Sequence, residues 1–226
     1  MTAEDETTYS TPPEREQNGL TDDLLAEISG AGSGDAGAHA PACTLEDVTV
    51  MADGKEILSK VSLSIPQGAC TVIMGPSGSG KSTLMRAAAG LIVPDAGRVT
   101  ILGADPNRIS ERELEHLRTR NGFVFQDGAL WQNLSLYDNL SLPLRYHHRE
   151  MDETAIRDRI DRLTRELGAT SSLTQRPAQV SAGEQKIISF VRGIVSNPEL
   201  LFLDEPTTSV DSERADLMIR KLRMLK

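Results

Sequence analysis

Basic charge is in short supply in this sequence. Lys and Arg number 24 against 33 Asp and Glu, for a formal charge of −9. Nine acids and one base, Arg15, fall within residues 1–40, so the remainder is close to neutral. No basic footprint for nucleic acid exists in that balance, and no nucleic-acid partner is expected. Cysteine is scarce too: Cys43 and Cys70 have no metal-type spacing and read as reduced thiols. Long apolar runs are absent, and none approaches the roughly 18–20 residues that cross a bilayer. The opening "MTAEDETTYSTPPE" is acidic, which excludes a secretory leader. The expectation is a cytosolic protein. Neither an internal repeat nor a heptad array is present.

What is there divides in two. Residues 1–42 read as an acidic tail and a flexible "GAGSGDAGAHAPA" linker. Within them "LTDDLLAEI" (20–28) is either a short docking helix or a fraying turn. From Cys43 onward the pattern alternates strands and helices. "CTLEDVTV", "ILSKVSLSI", "RVTIL" and "GFVF" read as strands, and "ACTVIM" (69–74) as a buried parallel one. "MDETAIRDRIDRLTRELG" places Ile156, Ile160, Leu163 and Leu167 on one helical face, with Gly168 at its end. "QKIISFVRGIVSNP" and "RADLMIRKLRMLK" are further helices, and "ELLFLDE" is a buried strand between them.

Two motifs carry chemistry. "GPSGSGKS", Gly75 to Ser82, fits G-x-x-x-x-G-K-[ST] between a strand-like and a helix-like segment. Its glycines let backbone N–H groups turn inward around phosphate oxygens, and the following helix aims its positive end at the same anion. Lys81 is placed to reach the terminal phosphates and Ser82 to ligate Mg²⁺. A dinucleotide-binding G-x-G-x-x-G is not present. The second motif is "LLFLDEP". An acid directly after four apolar residues is costly without a partner. A metal at the glycine loop supplies one for Asp204, and Glu205 is then placed to polarise an attacking water.

With "FVFQDGALW" and "VSAGEQK" lying between those two motifs, the chain from 43 to 226 resembles the nucleotide-binding subunit of an ABC transporter. The resemblance implies an α/β fold of the P-loop ATPase type. Its core would be a mostly parallel sheet, with an antiparallel N-terminal part and a helical subdomain inserted at about 127–195. ATP and Mg²⁺ are the implied cofactors. Gly75, Pro76, Ser77, Gly78, Ser79, Gly80, Lys81, Ser82 and Thr83 would bind nucleotide. Ser82, Gln126 and Asp204 would hold the metal, and Glu205 with Gln126 would serve catalysis. Ser181, Ala182, Gly183 and Glu184 would face the nucleotide of a second subunit in a homodimer, and Asp211 would join the two sites. "FQDGALWQNLSLYDNLSLPLRYH" looks like the Mla/Mkl branch, whose transporters move phospholipid. It implies contact with a transmembrane permease through 126–144, at the cytoplasmic face of the membrane. Leu130, Trp131, Leu134 and Leu136 are the expected apolar socket. Another importer, a lipoprotein-releasing or division-type system, and an ATP-binding regulator remain alternatives.

Several residues depart from that family's pattern. Residues 50–53 hold no aromatic to stack on adenine, which leaves Met51 to pack there. The switch histidine should follow the strand after "DEP…D", and His39, His116, His147 and His148 all precede Glu205. The expectation is an incomplete C-terminus and slow turnover. Adjacent His147 and His148 read as surface residues rather than metal ligands. "SAGE" reads as a capping box from Ser181 to Glu184. Glu184, in place of glutamine, would bring negative charge near phosphate. Ala182, in place of glycine, would be strained if its φ were positive.

Overall fold

The structure is a computed structural model, and it describes residues 40–225. The segment 20–28 lies outside the described residues.

Strands β1 (Cys43–Ala52), β2 (Lys55–Ile65) and β3 (Ala96–Ile101) form an antiparallel sheet in the order β2-β1-β3. Cys43, Leu45, Val48 and Val50 of β1 face inward. Their alternation skips one residue between Leu45 and Val48, where the pairing register shifts at a bulge. Helix α1 (Lys81–Ala88) packs Ala87 and Ala88 into the core beneath this sheet.

Helix α2 (Glu111–Thr119) opens on a complete capping box, Ser110 with Glu113. It leads into β4 (Asn121–Val124), which pairs in parallel with β5 (Leu200–Leu203) and sets Phe123 opposite Phe202. Arg120 clamps the start of this pair through a two-pronged bond to Glu199, at 2.6 and 2.7 Å. Four helices surround β4 and β5: α3 (Leu136–His147), α4 (Glu153–Glu166), α5 (Ala182–Ile194) and α6 (Ser212–Leu225). Leu140, Ile160, Ile187, Phe190 and Met218 meet in their shared core without solvent exposure. The predicted face of α4 is the buried one, and Asp152 caps that helix through the Ala155 N–H.

β4 and α5 touch backbone to backbone through a pair of glycines. A Cβ on Gly122 would lie 2.3 Å from the Gly193 carbonyl, and one on Gly193 would lie 2.6 Å from Val124. Only hydrogen fits in those gaps. This contact fixes the end of α5 against the start of β4, while Lys186 near the start of α5 reaches the carbonyls just past the end of β4.

One predicted strand does not form. Residues 69–74 join no ladder, and Val72 and Met74 are 39% and 75% exposed. An apolar run becomes a strand only where a neighbour offers N–H and C=O groups in register. Among the described residues β4 pairs only with β5, and no strand is ranged beside 69–74. The expected helix at 185–198 begins earlier, at Ala182, because Ser181 caps it.

Candidate functional site

The glycine loop leads straight into α1. Gly80 sits at the N-cap with φ +88°, a left-handed angle that a side chain would resist. Its backbone also lies against β2, where a Cβ would meet the Ile57 carbonyl at 3.1 Å. No side chain caps α1 and no acid occupies its first turn. The first N–H groups and the positive dipole end are therefore directed at whatever anion the loop receives. Lys81 folds back over the loop, donating to the carbonyls of Gly75 at 2.9 Å and Pro76 at 2.8 Å. Ser82 and Thr83 follow it, half-buried, on the same turn.

The parallel pairing of β4 and β5 brings their C-terminal ends together. Gln126, two residues past β4, donates from Nε2 to the Glu205 carboxylate at 3.2 Å. Thr208 donates to the same oxygen at 3.3 Å. Glu205 has φ +47°, so the chain turns sharply as it leaves the strand. Asp204 is 4% exposed, and its Oδ2 has no hydrogen-bond partner. A buried carboxylate oxygen left this way favours a cation beside it. The donor set of Ser82, Gln126 and Asp204 is all oxygen, which suits Mg²⁺.

A lysine that sequence reasoning passed over shapes this corner. Lys186, buried on α5, donates to the carbonyls of Phe125 and Gln126. Burial pushes its pKa down, and Glu205, Asp204 and Asp127 oppose that shift. Ser189 and Arg192 continue the row. Ser189 donates to the Gly128 carbonyl at 2.8 Å, and Arg192 to those of Gly128 and Ala129 at 2.9 and 2.7 Å. Polar residues at i, i+3 and i+6 in the stretch after Gln185, which is otherwise Ile, Phe, Val and Gly, were the signal available for this row.

The turn 180–184 answers the question at Ala182 and corrects the expected capping box. Ala182 is the first residue of α5 and has no positive φ, so alanine is unstrained there. Only half of the capping box forms: Ser181 Oγ accepts from the Glu184 N–H at 3.2 Å. Glu184 itself is 2% exposed and turns inward. It accepts from the N–H groups of Thr170 and Ser171 and from Arg214, each at 2.9 Å. Two N–H groups and a guanidinium attract a carboxylate more strongly than the single N–H of Ser181. Gly183 is required from within the chain as well, because a Cβ there would lie 2.6 Å from the Ser209 carbonyl. Asp211 caps α6, accepting from the Arg214 N–H at 3.1 Å.

The predicted apolar socket is only partly available. Leu130 and Leu136 belong to the core, at 8% and 0% exposure, while Trp131 is 59% exposed. Leu136, expected in the socket, points inward because α3 packs that face on α5. An open groove of about 490 Å³ lies nearby instead, lined by Phe125, Trp131, Leu142, Pro143, Tyr146 and Arg192 among others. Asn139, fully buried, holds the Trp131 backbone at both its N–H and its carbonyl. His147 and His148 close α3, and among the described residues no cluster of metal-binding side chains forms around them.

The model of the ABC transporter family matches residues 58–208, and the chain belongs to that family. It is 34% identical over 190 residues to the probable ribonucleotide transport ATP-binding protein mkl of Mycobacterium leprae, covering 84% of this chain and 54% of that protein. It is 31% identical to the intermembrane phospholipid transport system ATP-binding protein MlaF of Haemophilus influenzae, covering 80% of this chain and 68% of that one. These relatives agree with the branch suggested by the residues after Gln126. The chain spans about half the length of the mkl relatives it matches. Among solved structures, the dimeric post-hydrolysis state of the ATP-binding cassette MJ0796, bound to ADP and Pi, superposes with a TM-score of 0.75. Its identity is 31%, over 81% of this chain and 82% of that one.

Proposed function

We propose that this chain is the ATP-binding and hydrolysing subunit of an ABC transporter, and that the transported substrate is a phospholipid. The observation that carries the ATPase reading is the meeting of Gln126 and Glu205 beside the orphaned Asp204 oxygen, on a chain whose glycine loop leads into an uncapped helix. In this reading residues 75–83 cradle the phosphates through backbone N–H groups. Lys81 exchanges its two loop carbonyls for phosphate oxygens. Ser82, Gln126 and Asp204 hold Mg²⁺, which when bound neutralises phosphate charge. Glu205 accepts a proton from the attacking water, and Gln126 and Thr208 aim its carboxylate. Ser181 and the N-terminal turn of α5 face the nucleotide of a second copy. The region 127–195 is the helical subdomain, and the groove beside Trp131 receives a cytoplasmic segment of a permease at the membrane. No helix among the described residues is long and apolar enough to cross a membrane itself. The lipid assignment rests on the similarity to the MlaF protein and on the residues after Gln126.

Fluorescent-ATP titration and phosphate release test the ATPase part. Lys81→Ala should abolish binding. Glu205→Gln should keep binding and lose hydrolysis by about 10²-fold or more. Unchanged binding by Lys81→Ala would overturn the assignment of the loop. Co-purification from a native membrane tests the rest: a permease with bound phospholipid supports the lipid reading, and a different permease class refutes it.

A further inference from the structure

We propose that Glu184 and Arg214 are positioning residues that join the turn 180–184 and the loop 205–214 into one rigid body. The inference rests on the functional reading above, in which the first presents Ser181 to the partner's nucleotide and the second carries Glu205 and Asp211.

Two independent contacts support it. The first is the ion pair. The Glu184 side chain is 3% exposed and that of Arg214 26%, with 2.9 Å between them. All of this carboxylate's partners come from other segments of the chain. One oxygen binds the 170–171 turn and the other binds Arg214. Arg214 in turn lies 3.4 Å from Asp211. A charge held this closely in a shielded place cannot lose its partner without rearrangement. The second contact is steric: the Gly183 backbone lies directly against the Ser209 carbonyl, with no room for a methyl group. Ser209 has φ +67°, so that loop already holds an unfavourable angle and has little slack.

The consequence concerns the role of the carboxylate. A glutamine at 184 could accept from Thr170 and Ser171 through its one oxygen, but its NH2, a donor, would then face Arg214 and could not hold it. Glutamate adds the charge that fixes α6 to the start of α5. Displacement of Ser181 by a bound phosphate then displaces Asp211 and Glu205 with it.

The test uses Glu184→Gln, Arg214→Gln and the double variant of the full chain, at a temperature where all are folded. Hydrogen–deuterium exchange is the primary readout. Either single change should speed exchange about tenfold in both 181–184 and 207–211, and the double change should add little to the worse single one. Faster exchange confined to the segment that carries the substitution, or additive effects, would overturn the inference. The second readout is ATP-driven dimerisation in a Glu205→Gln background. It should weaken by roughly tenfold while the monomer's affinity for ATP stays within about twofold. Unchanged dimerisation would overturn the inference. A parent protein that does not bind ATP would refute the functional reading, and the exchange experiment would still decide the coupling.

Discussion

Replacing Gly183 with alanine should damage both the fold and the chemistry. The added methyl would stand 2.6 Å from the Ser209 carbonyl oxygen, and ordinary contact begins at 3.4 Å, so about 0.8 Å must be found. The neighbour is backbone, and its loop is held by the Val210 N–H donating to the Thr207 carbonyl at 3.1 Å. Overpacking of this kind costs about 1–3 kcal/mol. Alanine recovers at most about 1 kcal/mol through helix propensity. With that recovery set against it, the net loss is up to about 2 kcal/mol, which should lower the melting temperature by up to roughly 8 °C for a domain of this size. Displacing a loop that carries Glu205 should also cost turnover, on the order of 10–100-fold. Circular dichroism melts and phosphate release measure the two effects. Gly54→Ala is the control: nothing lies within 4 Å of its added Cβ, and φ +73° leaves only backbone strain. Gly54→Ala should cost about 1 kcal/mol and leave turnover alone. A Gly183→Ala protein with unchanged melting and unchanged turnover would refute the close-contact reasoning.

Phe190→Ala should cost about 3–5 kcal/mol in urea denaturation, because the ring is fully buried between the helices and β4. Trp131→Ala should change stability by less than about 0.5 kcal/mol, given its exposure, while weakening capture of the permease. Asn139→Leu should cost about 2 kcal/mol or more, because it strands the Trp131 N–H and carbonyl together. Cys70 should react with a thiol reagent at pH 8 while Cys43 does not, because burial pushes the Cys43 thiol up to about 12. That shift stabilises the fold fully below the ordinary thiol pKa of 9.0, and the contribution disappears as pH rises from there towards 12. A urea titration between pH 8 and 10 should show this loss in the parent and a smaller one in Cys43→Ala.

The parts legible in the sequence were those decided by neighbours along the chain. Gly75 to Ser82 announces its loop because glycine freedom, a lysine and a helix start are all local properties. The face of α4 follows from the spacing of Ile156, Ile160 and Leu163, and the cap at Ser181 from a serine placed just before a helix. "LLFLDE" shows its acids at a strand end because apolar burial and charge cannot share a position cheaply. Tertiary structure decided whatever depends on competition between distant partners. The run 69–74 has the composition of a strand, but pairing needs a neighbour that its own residues do not specify. Leu136 carries no mark of whether its face meets solvent or α5. The 79-residue gap between Gln126 and Glu205 closes only because β4 and β5 lie in parallel register. Glu184 is the sharpest case. Read along the chain it completes a capping box with Ser181, three residues away. In the fold, Arg214 and the N–H groups of Thr170 and Ser171 converge on the same carboxylate, and three donors prevail over one.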